Sequence, residues 1–280
     1  MIYTLVKIEL SKIFRKWRTY IGFLAITVLV LVIQIAISYE GEQSINYMTR
    51  NLQDSFLFIG NLLNGYLISH MIMNGLFIHI PFLIALVAGD LLAGEATAGT
   101  YRLLLTHPVS RTQLIVSKFI SGITYTSLLV LWLAIMSLGL GIIMFGTGEL
   151  LVIRSSTIII LARDDIIWRF LLAYGYAVLS MSVVASLAFL FSSLVENAIG
   201  PIISTMAIII IFIIISAINV NIFQAIRPYL FTTYMPDWKS FFDNPLQFNE
   251  IIKSVFVLAV HIVVFFFVTL FLFKRKDILT

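Results

Sequence analysis

The chain has no cysteine, so disulfides, zinc–thiolate centres and thiol catalysis are excluded. Charge is scarce as well. Charged residues make up 11% of the 280 and hydrophobic residues 60%, where a soluble domain carries about 25% and about 45–50%. The mean hydropathy is +1.04. These departures place the chain in a membrane. Several catalytic signatures are also missing. There is no G-x-x-x-x-G-K-[ST], so the chain cannot hold ATP in the P-loop manner. No H-E-x-x-H is present for a zinc protease, and no G-x-S-x-G nucleophile elbow. Nor is there an internal duplication of the kind that marks many secondary transporters, and no low-complexity linker divides the chain. Met1–Arg18 is charged throughout and no small-residue cleavage site follows, so no cleavable signal is expected.

What the sequence does hold is long apolar runs. About 20 residues are needed to cross about 30 Å of hydrocarbon. Six segments qualify: Tyr20–Ser38, Tyr66–Ala88, Phe119–Phe145, Phe170–Phe191, Ile199–Ile218 and Ile251–Phe273. Their continuous character rules against a barrel, whose strands alternate in short segments. The expected fold is an all-α membrane protein of six transmembrane helices, a single domain over residues 1–280. Basic residues orient it. With both termini in the cytoplasm, 11 of the 18 Lys and Arg lie inside and seven outside, for net charges of +6 and −2. The basic residues cluster beside spans, where anionic lipid attracts them, so no nucleic acid is needed to explain them.

Residues 1–18 form a basic amphipathic helix. Ile2, Val6, Leu10, Ile13, Phe14 and Trp17 recur at helical spacing, and Lys7, Lys12, Arg15, Lys16 and Arg18 cover much of the rest. Such a helix lies along the membrane surface; it is either an elbow that moves with the bundle or a passive anchor. The second span carries Pro81, which removes a backbone hydrogen bond and can kink it. Polar groups inside spans are costly and default to function. Gln34, Asn74 and His79 are candidates to line a translocation path. Ser69, His70, Thr124, Ser127, Ser180, Ser182 and Ser186 are weighed against plain helix packing, for which Ala173/Ala177 and Ser182/Ser186 have small-xxx-small spacing. His70 and His79 are nine residues apart, on different faces, and no metal site is expected from them.

Residues 89–118 join the second and third spans. Asp90 to about Leu105 can form a short helix with Glu95, Gly99 and Arg102 on one face. Thr106-His107-Pro108 breaks it. Ser110 then caps the third span with Gln113 in a capping box, and Arg111 and Lys118 lie near the membrane surface. The apolar run Ser156–Ala162 is too short to span; it rests in the outer interface or caps the bundle. Asn219–Glu250, with Pro228, Pro236, Pro245 and Trp238, suits a re-entrant or interface-hugging loop.

The pattern E-x-x-x-G-T-x-x-x-L-L-x-x-P-x-S-R, followed by a Lys, is met by Glu95, Gly99, Thr100, Leu104, Leu105, Pro108, Ser110, Arg111 and Lys118. It resembles the loop that membrane subunits of the ABC-2 type ABC transporter permease family carry between spans two and three. The basic N-terminal helix, the six spans and the Phe273–Leu279 ending agree with that resemblance. It implies a permease subunit, mostly an exporter, that is not itself an enzyme and binds no cofactor. ATP and magnesium would belong to a partner ATPase subunit, and a second permease copy, identical or homologous, would complete the path in the cell membrane. Glu95, Arg102 and Arg111 would carry the coupling contacts and Gly99 a close backbone approach, with Thr100, Pro108 and Ser110 completing the element. An ATP-independent transporter or channel, or a membrane scaffold or sensor on the same plan, is the alternative. The substrate is not written in the sequence.

Overall fold

The computed structural model describes residues 2–53, 62–99, 109–154 and 157–275. Helix α1 (Ile2–Arg15) bends at Lys16 into α2 (Trp17–Gln53), with the Lys16 N–H donating to the Ile13 carbonyl at 3.1 Å. The second span is broken into α3 (Gly65–Leu76) and α4 (Ile80–Ala88), bent by 56°. Pro81 in the first turn of α4 accounts for the break, because proline lacks the N–H that would continue α3 and crowds the carbonyl four residues back. Helix α5 (Asp90–Thr97) follows, then α6 (Arg111–Ala134), a π turn (Ile135–Gly139) and α7 (Leu140–Phe145). After a hairpin come α8 (Ile166–Leu194) and α9 (Ile199–Ala217). A folded connection, α10 (Asn221–Ile226), α11 (Phe231–Tyr234) and a 3-10 stretch (Met235–Phe242), leads to α12 (Phe248–Arg275). Among the described residues five helices are long and apolar enough to cross a membrane, and the bent pair makes six. The architecture is that of a multi-pass helical membrane protein.

Two expectations change. The short apolar run before Arg163 takes part in a strand pairing that the sequence did not announce. Within it Ile158–Leu161 is strand β2, paired antiparallel with β1 (Leu150–Ile153), Leu150 opposite Leu161 and Ile153 opposite Ile158. Four β-branched and leucine residues suit a pleated, half-buried surface better than one turn of helix. The all-α expectation therefore holds for the bundle and gains a small hairpin at one end. Second, α2 does not stop at Ser38 but stays helical to Gln53.

Helix α8 is central. Of its apolar window 72% is buried, against 11% for α12 and 17% for α9. Its small residues explain this: Ala173, Ala177, Ser180, Ser186 and Ala188 are all sealed and let α4, α6, α9 and α12 approach. Ser182 and Ser186 spend their hydroxyls within the helix, on the Val178 carbonyl (2.7 Å) and the Ser182 carbonyl (2.6 Å), as packing requires, while Ser180 donates to the Met235 carbonyl at 3.4 Å. Leu24 on α2, Ile203 on α9 and Phe256 on α12 remain 63–68% exposed, the surface a bilayer or second copy would cover.

The end opposite α1 is closed by the connection between α9 and α12. Trp238 and Phe242 are fully buried in it, packed on His70 of α3 with ring centroids 5.5 and 5.0 Å away. Arg169 of α8 donates to the Phe241 and Asp243 carbonyls at 3.0 and 2.8 Å, and Arg154 after β1 pairs with Asp243 at 2.7 Å.

Candidate functional site

At the end that carries α1, three helices meet through charge. Glu9 is the one acidic residue in the first 18. It points inward with Ile13, while Lys7, Ser11 and Arg15 face out. Lys118 of α6 is 1% exposed. Its Nζ lies 2.7 Å from Glu9 and 2.6 Å from Glu95 of α5. Lys12 closes the set from α1, 2.8 Å from Glu9 and 3.1 Å from Glu95. Two carboxylates and two ammoniums thus form a neutral ring joining α1, α5 and α6. A single buried charge would be prohibitive, and the ring is tolerable because every member is paired. Burial pushes the Glu9 carboxyl up, but Lys118 and Lys12 together outweigh it and hold it below its ordinary value. Burial pulls Lys12 down, and its bonds to Glu9 and the field of Glu95 more than offset that and raise it.

A second cluster lies one turn away. Asp90, in the first turn of α5, pairs with Lys16 at 2.6 Å and Arg18 at 3.1 Å. An acidic side chain there also suits the positive end of the helix. The unpaired backbone N–H groups at the start of α5 are met from α8. The Ser192 hydroxyl accepts from Leu92 and Ala93, at 3.0 and 2.8 Å, and donates to the Gly89 carbonyl at 2.6 Å. At the other end Thr97 donates to the Glu196 carbonyl at 2.6 Å. Helix α5 is therefore clamped between α1, α6 and α8, and a displacement of α5 must pull on all three.

The expected loop residues divide. The helix foreseen from Asp90 to about Leu105 ends at Thr97, and Gly99 adopts φ +66°, a left-handed conformation that favours glycine and stops helical periodicity. Glu95 is buried in the ring rather than presented on an outer face, whereas Thr97, Ala98 and Gly99 are exposed. Leu92 is buried in the protein. Thr100, Arg102 and Pro108 lie outside the described residues. Ser110 forms the expected capping box: it accepts from the Gln113 N–H at 3.2 Å, and its own N–H donates to the Gln113 side chain at 3.1 Å. Arg111 donates to the Lys274 carbonyl at the end of α12, 3.1 Å. Lys118 is sealed inside the protein, at the centre of the ring. Glu9, Lys12, Asp90, Lys16, Arg18 and Ser192 were not singled out from the sequence. The one available signal was a lone acid on the apolar side of a basic helix.

The three path candidates do not come together. Gln34 is sealed and donates to the Met136 and Ser137 carbonyls of the π turn at 3.3 and 3.1 Å. Ser69 bonds the same Ser137 carbonyl at 2.8 Å. His79 is exposed, its Nδ1 3.1 Å from the Gly75 carbonyl. Of the three, Asn74 alone reaches a groove, of about 500 Å³, between the break in the second span, α9 and the connection from α9 to α12. No cluster of three metal-ligating side chains exists among the described residues.

Comparison with known proteins follows from this geometry. The sequence profile described as ABC-2 family transporter protein matches residues 3–278. The chain is also similar to an uncharacterized protein, YhcI, of Bacillus subtilis (strain 168), 26% identical over 220 residues. That match covers 74% of this chain and 65% of YhcI, so the chain spans somewhat less than two thirds of that relative.

Proposed function

The chain belongs to the ABC-2 family of transporter proteins, and from that premise we propose that it is the membrane-spanning permease subunit of an ABC transporter. It is not an enzyme. ATP and magnesium are bound and turned over by a separate ATPase subunit. Two copies of the chain, or one copy and a homologous subunit, form the path across the cell membrane, and export is the favoured direction. Both termini face the cytoplasm, as the distribution of basic residues favours. Helix α1 is the elbow, and α5 with the segment to Arg111 is the coupling element.

The single observation that carries this reading is the clamp on α5. A short helix at the cytoplasmic end, tied by buried ion pairs to α1 and α6 and by Ser192 to the central α8, is built to pass a push into the bundle. Free energy for transport must enter as a difference in ATPase affinity between conformations. The exposed turn Thr97–Gly99, with Thr100, Arg102, Pro108, Ser110 and Arg111, is the surface offered to the ATPase. Glu95 serves from behind, holding α5 to the elbow. Asn74, His79 and Gln34 stand as path candidates, Asn74 with the support of the groove.

The test is a pull-down of the tagged chain in mild detergent after co-expression with the P-loop ATPases of its cell, beside Ala98→Asp and Arg102→Ala. An ATPase that co-purifies with the parent chain and is lost with the variants supports the reading. No ATPase under any mild condition overturns it in favour of an ATP-independent transporter or a scaffold.

A further inference from the structure

The groove at the outer end is amphipathic. One half is apolar, with Phe77, Ile78, Pro81, Ile209 and Ile213. Ile78 and Ile213 are 63% and 40% exposed, so this half opens on the flank that faces lipid. The other half brings two cations, Arg227 and Lys239, together with Thr232 and Trp238. Neither cation has a carboxylate within ion-pair distance among the described residues. Arg227 donates one Nη2 bond to the Ile218 carbonyl at 3.2 Å, and its Nε has no partner. Thr232 Oγ1 and Trp238 Nε1 are also buried without a partner. Buried donors are rarely left unpaired, and here three belong to residues lining one groove. Burial, and then the nearby Arg154, push the Lys239 ammonium down from its ordinary value. Asp237, the nearest acid in sequence, is turned away and accepts from Ser254 of α12 at 2.6 Å.

We propose that this groove binds an amphiphile with a phosphate headgroup, its oxygens taken by Arg227 and Lys239 and its alkyl chain laid along Ile78, Pro81, Ile209 and Ile213. A phosphate offers several strong acceptors and a negative charge, matching two cations and the spare donors. The apolar half excludes a free phosphate ion as the fitted ligand. The inference deepens the transport reading by naming a cargo class. It is measured without ATPase, so binding can fail while ATPase capture succeeds, and the reverse.

The full chain is placed in phosphatidylcholine nanodiscs with Trp17, Trp132 and Trp168 changed to Phe, leaving Trp238 as reporter. Brominated phosphatidylglycerol is doped in as quencher. Saturable quenching at low mole fraction is expected, relieved by dodecyl phosphate but not by dodecyl maltoside or inorganic phosphate. Arg227→Gln/Lys239→Gln weakens it at least tenfold. Arg227→Lys, which keeps the charge, retains most of it, and Lys7→Gln/Arg15→Gln at the far end changes nothing. Quenching that is unchanged in the double Gln variant, equal with brominated phosphatidylcholine, or relieved as well by inorganic phosphate overturns the proposal.

Discussion

Changing Lys118 to Met removes the centre of the ion-pair ring while keeping its volume. Glu9 and Glu95 then lose Lys118 and keep the contact with Lys12, whose side chain is 41% exposed. Removing one partner from a buried pair costs about 3–5 kcal/mol, and the low end applies because Lys12 and water recover part of it. A loss of about 3 kcal/mol is roughly 150-fold in the docking equilibrium of α1 on α5 and α6. The assay exploits the absence of cysteine. Spin labels at Ser11→Cys and Ala98→Cys, both exposed, report the distance between α1 and α5. The parent chain gives one narrow distribution, and Lys118→Met adds a long, broad component. Adding Glu9→Gln alone to Lys118→Met leaves Glu95 and Lys12 as a balanced pair and returns more than half of the narrow component. An unchanged distribution in Lys118→Met, with unchanged thermal unfolding, refutes the reasoning.

The same labels give a pH prediction. Glu9 is held below its ordinary value when folded, so its contribution is present above about pH 4.3 and is lost as pH falls through the folded value. Lys12 is raised, so its contribution is present below its ordinary value and is lost as pH rises through the raised one. The narrow distance therefore persists across neutral pH and broadens in acid below the ordinary carboxylate range, and again in strong alkali. Ser192→Ala strips two buried N–H groups of their acceptor and a carbonyl of its donor, at about 1–3 kcal/mol per orphaned group; α5 amides exchange hydrogen faster while those of α9 do not. Gly65→Ala places a Cβ about 2.5 Å from the Gly141 backbone, which cannot give as a side chain would, and costs about 1–3 kcal/mol in thermal unfolding. Gly75→Ala, with nothing within 4 Å, is tolerated in the same assay.

The spans were legible because each is a local property, an apolar window of sufficient length. So were the break at Pro81 and the capping box of Ser110 and Gln113, whose partners are a few residues apart. The ring was not. Lys118 and Glu9 are 109 residues apart, and Glu95 and Lys12 are 83. No local pattern pairs them. The φ of Gly99 ends the helical period beyond α5, and which face of α5 meets α1 and α6 is decided by packing across the chain, not by that period. The hairpin of β1 and β2 was missed because a four-residue apolar run does not announce its pairing partner, and only the pairing of Leu150 with Leu161 decides. Gln34 stood out as a polar residue in a span, yet its partners are carbonyls of a π turn 102 and 103 residues away, which no periodicity announces. The groove likewise joins residues from Asn74 to Lys239.

The central claim is that force from an ATPase enters through the exposed turn after α5. Single cysteines at Ala98, on that turn, and at Ala225, exposed on α10 at the other end, can be tested with one short photo-crosslinker in membranes that contain the ATPase. The account predicts an ATPase adduct at Ala98→Cys, enhanced or diminished by ATP, and none at Ala225→Cys. An adduct at Ala225→Cys, or an ATPase that co-purifies without ever reaching Ala98→Cys, would contradict it.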